Sequence, residues 1–137
     1  MTLVDTSSWI HFLRKNGEPL VKARVRQLLE SDSARTCPIV LVELWMGAGS
    51  EKDQSDVTKL EQKIPQLEIN RHVWMRANRL SQLCRRHGTP VPASDVIIAA
   101  CAFTHGAEIE AVDEHYTNLK QYHEETSEIS GENLATR

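Results

Sequence analysis

Leu3-Val4-Asp5-Thr6-Ser7-Ser8-Trp9-Ile10 decides the reading of this 137-residue chain. Two apolar residues run into an acid, and hydroxyl residues then lead into an apolar stretch that includes Phe12 and Leu13. This is the pattern of a short strand ending at Asp5, followed at once by a helix that Ser7 or Ser8 caps and that stops near Asn16-Gly17. The alternation repeats downstream. Pro19 starts a second helix with Val21, Val25, Leu28 and Leu29 at helical spacing. Arg35-Thr36-Cys37 reads as a strand, and Pro38 fits the first turn of a helix running to Met46 and closed by Gly47 or Gly49. That helix is apolar almost all round, which predicts a buried, central position. Glu51 to Lys63 reads as an exposed helix broken by Pro65, and Gln66 to Ile69 alternates as a strand does. Residues 71–87 form a basic amphipathic helix with the stripe Val73, Ala77, Leu80 and Cys84, stopped by Gly88. After the stiff Pro90-Val91-Pro92, Ser94-Asp95 opens a helix that Gly106 closes. Ile109 to Val112 is a further strand ending at Asp113, and beyond Tyr122 the polar, acidic sequence predicts a loose tail. Short strands alternating with helices predict an α/β fold, with a central, mainly parallel sheet of four to five short strands flanked by helices. One domain over residues 1–122 and an acidic C-terminal tail over 123–137 are expected.

Composition agrees with a folded domain. The chain is 40% hydrophobic and 26% charged, which excludes wholesale disorder. No apolar run approaches the ~20 residues that span a bilayer, so no membrane association is expected. The start lacks the charged-then-apolar layout of a signal peptide. Cys37, Cys84 and Cys101 are scattered among apolar neighbours, with no Cys-x-x-Cys pair, and read as reduced core residues of a cytoplasmic protein. The net charge of −3 divides unevenly. Residues 108–137 carry eight acids against two bases, whereas residues 1–107 carry 11 acids against 14 bases. A net-acidic chain of this kind can still present a basic surface to a polyanion.

Four acids stand out by position. Asp5 follows the first strand and Asp113 the last, and the crevice beyond the carboxyl ends of parallel strands is where such folds bind ligands. Glu43 lies among Ile39, Val40, Leu41, Val42, Leu44 and Trp45, where a carboxylate without a partner is costly to bury. Asp95 lies at a helix N-terminus beside Pro90-Val91-Pro92. Each has an ordinary structural use: Asp5 and Asp95 as helix caps, Asp113 as a turn residue, Glu43 in an ion pair with an arginine. Taken together, four acids converging on one sheet edge repel one another unless a cation offsets them. Mg²⁺, or Mn²⁺, takes such oxygen ligands, and a site of this kind activates water against a phosphodiester without a catalytic His or Ser.

The opening residues Leu3 to Ile10 resemble the start of PIN-domain nucleases, with the VapC-type toxins of bacterial toxin–antitoxin pairs the nearest likeness. Three further stretches agree in order and approximate spacing. Thr36 to Leu44, with Val42-Glu43-Leu44, is similar to the helix carrying the family's second acid. Asp95-Val96-Ile97-Ile98-Ala99-Ala100-Cys101-Ala102 is similar to the segment carrying the third. Val112-Asp113-Glu114-His115-Tyr116 is similar to the stretch with the fourth acid and a following aromatic. The resemblance implies a PIN-like nuclease domain and Mg²⁺-dependent endoribonuclease action as the toxin of such a pair. Asp5, Glu43, Asp95 and Asp113 are then the metal-binding, catalytic acids, and Ser7 a small polar residue supporting the cofactor site. It also implies a cognate VapB-type antitoxin laid across the site, an RNA substrate and a homodimer. Three departures stand out: Ala111 replaces the hydroxyl residue usual two positions before the fourth acid, Tyr116 replaces the more usual Phe, and no clear final strand follows Tyr116.

Basic residues cluster at Arg14, Lys15, Lys22, Arg24 and Arg26, and again at Arg71, Arg76, Arg79, Arg85 and Arg86. They read either as solvated helix faces or as contacts to RNA phosphates. The second helix and the one over 51–63 are candidates for a partner groove. Trp9, Trp45 and Trp74 read as core or interface anchors. The six histidines lack metal-ligand spacing, and none is assigned to a metal. Two other functions compete. A catalytically inactive PIN-like RNA- or protein-binding module need not keep all four acids. A related phosphoacceptor or phosphatase domain requires a second acid soon after Asp5, where the chain reads Thr6-Ser7-Ser8.

Overall fold

A computed structural model describes the backbone of residues 1–135 and the side chains of residues 1–126. Its elements run β1 (Thr2–Val4), α1 (Thr6–Leu13), α2 (Pro19–Glu30), β2 (Ala34–Arg35), α3 (Pro38–Met46), α4 (Glu51–Lys63), α5 (Arg71–His87), α6 (Ala93–Thr104), β3 (Glu108–Glu110) and α7 (His115–Ala135). The sheet is parallel, in the order β2-β1-β3. Thr2 pairs with Ala34 on one side and with Glu108 on the other, so β1 is the central strand. Helices flank this sheet, and the expected α/β architecture holds.

Among the described residues the sheet has three strands, against the four to five expected. Gln66 to Ile69 makes only a bridge to Thr36, not a strand. The Glu68 carbonyl accepts instead from His105 Nε2 at 2.7 Å and from the Cys101 thiol. Those contacts pull the segment away from the sheet and towards α6. The last strand ends at Glu110 rather than Val112, because the chain turns where Asp113 accepts the His115 backbone N–H at 3.0 Å.

Leu3 and Val4 are fully buried, as are Val25, Val40, Val73 and Ile98 from four of the surrounding helices. Gly88 adopts φ +65° and closes α5 in the left-handed conformation that glycine reaches without strain. The three cysteines are buried and free. Two expectations fail. α3 is not buried all round: Val42 and Met46 are 55% and 83% exposed, and Trp45 is also on the surface. From residue 123 to 135 the chain is helical rather than loose, and the rest of the expected tail lies outside the described residues. Tyr116, Leu119 and Tyr122 recur at intervals of three, are all buried, and hold α7 against the body. Among the described residues, no helix is long and apolar enough to cross a membrane.

Leu3 sits with no exposed surface on the central strand. Leu3→Ala is therefore expected to lower stability by about 3 kcal/mol, read as a shift of the urea midpoint at unchanged slope.

Candidate functional site

Helix α1 begins one residue after β1, with Asp5 as its cap residue and no side-chain capping bond. Ser7 and Ser8 therefore lie inside the first turn rather than at the cap, and their hydroxyls are free to bond elsewhere. Asp5 is 5% exposed. Its Oδ2 accepts from the Ser7 hydroxyl at 3.1 Å and its Oδ1 from the Tyr116 hydroxyl at 3.0 Å. Burial pushes the Asp5 pKa above its ordinary value, the Tyr116, Thr6 and Ser7 bonds pull it back, and the Asp95 charge adds to the rise.

Glu43 points from α3 towards α1, where its Oε1 accepts from the Thr6 hydroxyl at 2.8 Å. This hydroxyl, not the arginine that its apolar surroundings suggested, is its partner. Asp95 lies in the first turn of α6, which starts at Ala93, so it is not the cap residue. Its Oδ2 lies 3.0 Å from His115 Nδ1, and Asp113 Oδ1 lies 3.1 Å from the same nitrogen. The hydrogen bond to Asp95 raises the His115 pKa, burial opposes that, and the charges of Asp113 and Asp95 reinforce it. Tyr116 stands among these groups. Burial raises its pKa first, followed by the charge of Asp5, then those of Asp95 and Glu43. All four acids singled out in the sequence thus come to one end of the sheet, linked through Tyr116 and His115.

One ligand atom from each of Asp95, Asp113 and His115 lies within 4.8 Å of the other two. The imidazole lodged between two carboxylates marks a place where the protein puts positive charge. Carboxylate oxygens with a single imidazole nitrogen suit a divalent cation. The donor set therefore fits a metal, with Asp5 and Glu43 beside it.

A family model described as the PIN domain matches residues 2–121. The chain belongs to the PIN-domain family. Ribonuclease VapC11 of Mycobacterium tuberculosis is 32% identical over 113 residues, covering 80% of this chain and 84% of that protein. Among solved structures, FitAcB from Neisseria gonorrhoeae superposes with a TM-score of 0.73 at 24% identity, over 87% of this chain and 92% of the other. VapBC2 from Rickettsia felis, bound to a DNA fragment from their promoter, gives 0.73 at 16% identity, over 85% and 90%. At such identities these two likenesses carry the fold.

Within this PIN domain, five residues of the site carry no role in the sequence reading: Tyr116, named only as an aromatic after the fourth acid, and four others. His115 was set aside with the other histidines for want of regular spacing. The available signal was its place two residues after Asp113, close enough for one turn to present both. Thr6 and Ser8 were overshadowed by Ser7, although a run of three hydroxyls after an acid is itself unusual. Glu110 looked like one more acid of the charged end. It accepts from Ser8 Oγ at 2.8 Å and from Arg24 Nε at 2.5 Å.

The raised Asp5 pKa has a consequence for stability. A carboxyl whose folded pKa exceeds its unfolded value of 3.8 favours folding only while protonated. That contribution is present below the unfolded value and lost as the pH rises through the folded one. In metal-free buffer, Asp5→Asn is therefore expected to be more stable than the wild type at pH 7. The advantage should close as the pH falls to the unfolded value, and paired urea titrations at the two pH values measure it.

Proposed function

We propose that this chain is a divalent-metal-dependent endoribonuclease, the toxin of a toxin–antitoxin pair acting in the cytoplasm. The observation that carries the reading is the convergence of Asp5, Glu43, Asp95 and Asp113 around Tyr116 and His115, in a chain 32% identical to a VapC ribonuclease. These four acids are the groups that would hold Mg²⁺ or Mn²⁺. A bound ion of this kind lowers the pKa of a water and offsets negative charge on a phosphodiester.

The protein's own part is orientation. Ser7 and Tyr116 each take one oxygen of Asp5, which fixes the plane of its carboxylate. Thr6 fixes Glu43. His115 holds Asp95 and Asp113 together from one nitrogen. Because Asp5 and Tyr116 are buried, bulk water is kept from the inner side of the cluster, and charge interactions there are screened less than at the surface.

The reading extends to partners. One groove is lined by Ile10, Leu13, Leu44 and Val57 and ends at Glu43. A second, lined by Trp9, Phe12, Leu60 and Ile64, shares Leu13 and Asp56 with it. These two adjoining grooves run along α1 and α4, with apolar floors, charged residues such as Arg14, Asp56 and Lys59 in their walls, and Glu43 lining the first, and they suit an antitoxin segment of VapB type. The exposed Val42, Trp45 and Met46 on α3 suit a homodimer contact.

With purified protein and RNA, cleavage is expected with Mg²⁺, and is expected to fall to background with chelator or with Asp5→Asn. Chelator-insensitive cleavage, or full activity of the variant, would overturn the metal reading. On the partner surfaces, Leu13→Glu is expected to abolish co-purification with the antitoxin. Met46→Glu is expected to move the sedimentation profile from dimer to monomer. An unchanged complex in either case counts against that surface.

A further inference from the structure

Three consecutive hydroxyls open α1, and each bonds a different acid. Thr6 takes Glu43 from α3, Ser7 takes Asp5 at the end of β1, and Ser8 takes Glu110 at the end of β3. Successive residues on a helix point about 100° apart, so the first turn aims the three hydroxyls in three directions. The first two acids belong to the proposed metal site. The third has had no role so far.

Glu110 is well placed to have one. Its side chain is 10% exposed, and both oxygens are engaged, one by the fully buried Ser8 and one by Arg24 of α2. Its backbone carbonyl accepts the Asp5 N–H at 2.9 Å. Arg24 already meets its charge, which sets it apart from the four acids proposed to bind metal. Arg24 is half-exposed, and an ion pair with one end in solvent adds little to stability. What the charged arrangement adds is direction: each bond fixes an oxygen or a nitrogen along a defined line.

Resting on the nuclease reading above, we infer that Glu110 is a positioning residue for the metal site. Tied to Arg24, it holds Ser8 and with it the first turn of α1, from which Ser7 and Thr6 orient Asp5 and Glu43. The chain of contacts runs Arg24, Glu110, Ser8, then through the α1 backbone to the two acids. Supporting groups of this sort are worth about 10–100-fold in metal affinity when they touch a ligand directly. One helical turn further out, the lower end of that range applies.

The test uses the full chain and its variants Glu110→Gln, Arg24→Ala, Ser8→Ala and Ser8→Ala/Glu110→Gln. Each is stripped of metal by dialysis and titrated with Mn²⁺ by calorimetry, with folding checked by thermal melting. Each single variant is expected to bind Mn²⁺ about tenfold more weakly. In RNA cleavage, the Mn²⁺ concentration giving half-maximal activity should rise in proportion and activity should recover at saturating Mn²⁺, whereas loss of folded protein alone would lower the binding stoichiometry and the activity at every Mn²⁺ concentration. The double variant should be no weaker than the weaker single, because both act through one path. Arg24→Lys keeps the charge at a half-exposed position and should recover part of the affinity, which keeps the proposal testable if Glu110→Gln folds poorly. Mn²⁺ affinity of Glu110→Gln within twofold of the wild type, or losses that multiply in the double variant, would overturn the role of Glu110. A wild type that binds Mn²⁺ but cleaves no RNA would overturn the nuclease reading and leave the affinities to decide Glu110. A wild type that binds no Mn²⁺ would overturn both.

Discussion

Like charges brought together must be held together, and the structure is organised around that constraint. Asp5, Glu43, Asp95 and Asp113 come from a strand end, two helices and a loop; the charges of the first three are felt by Tyr116, and Asp113 joins Asp95 at His115. Nothing in a hydrophobic core opposes their mutual repulsion directly. It is opposed by donors placed one by one: Ser7 and Tyr116 on Asp5, Thr6 on Glu43, and the His115 nitrogen between Asp95 and Asp113. The fold sets these donors out economically. One helical turn after β1 supplies two of them, and the start of α7 supplies the other two.

The sheet explains why those two sources suffice. β1 is central, so whatever follows it stands in the middle of the crevice. β3 lies beside it, and the residues that follow β3 reach the same crevice from one side. α6 contributes Asp95 from its first turn. α3 contributes Glu43 from its middle while its outer face stays open to solvent. A helix that appeared uniformly apolar in sequence thus has two apolar faces with different uses, one packed inward and one left at the surface.

Periodicity and end signals made most of the fold legible. The starts and stops of α2, α3, α4 and α5 follow Pro19, Pro38 and Gly47, Pro65, and Gly88, residues whose backbone restrictions do not depend on tertiary context. What failed depended on contacts from far along the chain. Gln66 to Ile69 has strand-like alternation, but α6 captures its carbonyls. α7 reads as loose because its packing stripe is only three residues, Tyr116, Leu119 and Tyr122, set in a polar run. The acids were legible because each stood at an element end or on an apolar helix. Their partners were not, since a hydroxyl or an imidazole reveals its role only when the fold delivers an acid to it. Glu110 is the clearest case: in sequence it is one of eight acids in an acidic end, in space it is paired with a base of the second helix.

The parallel order of the sheet also has a bearing on synthesis. Tyr116 and Asp5 bond across 111 positions of sequence, and β1 finds its partner β3 only after α6 has been made. Contacts of such long separation form slowly, and none of them can form on a chain still short of residue 110. An emerging polypeptide therefore carries Asp5 from the outset yet lacks the surroundings that orient it until nearly all of the domain has left the ribosome. The cluster is completed late, after the residues that line the grooves along α1 and α4 have all been made. For a protein whose acids are proposed to act on RNA, the machinery that translates it is met before the site is whole.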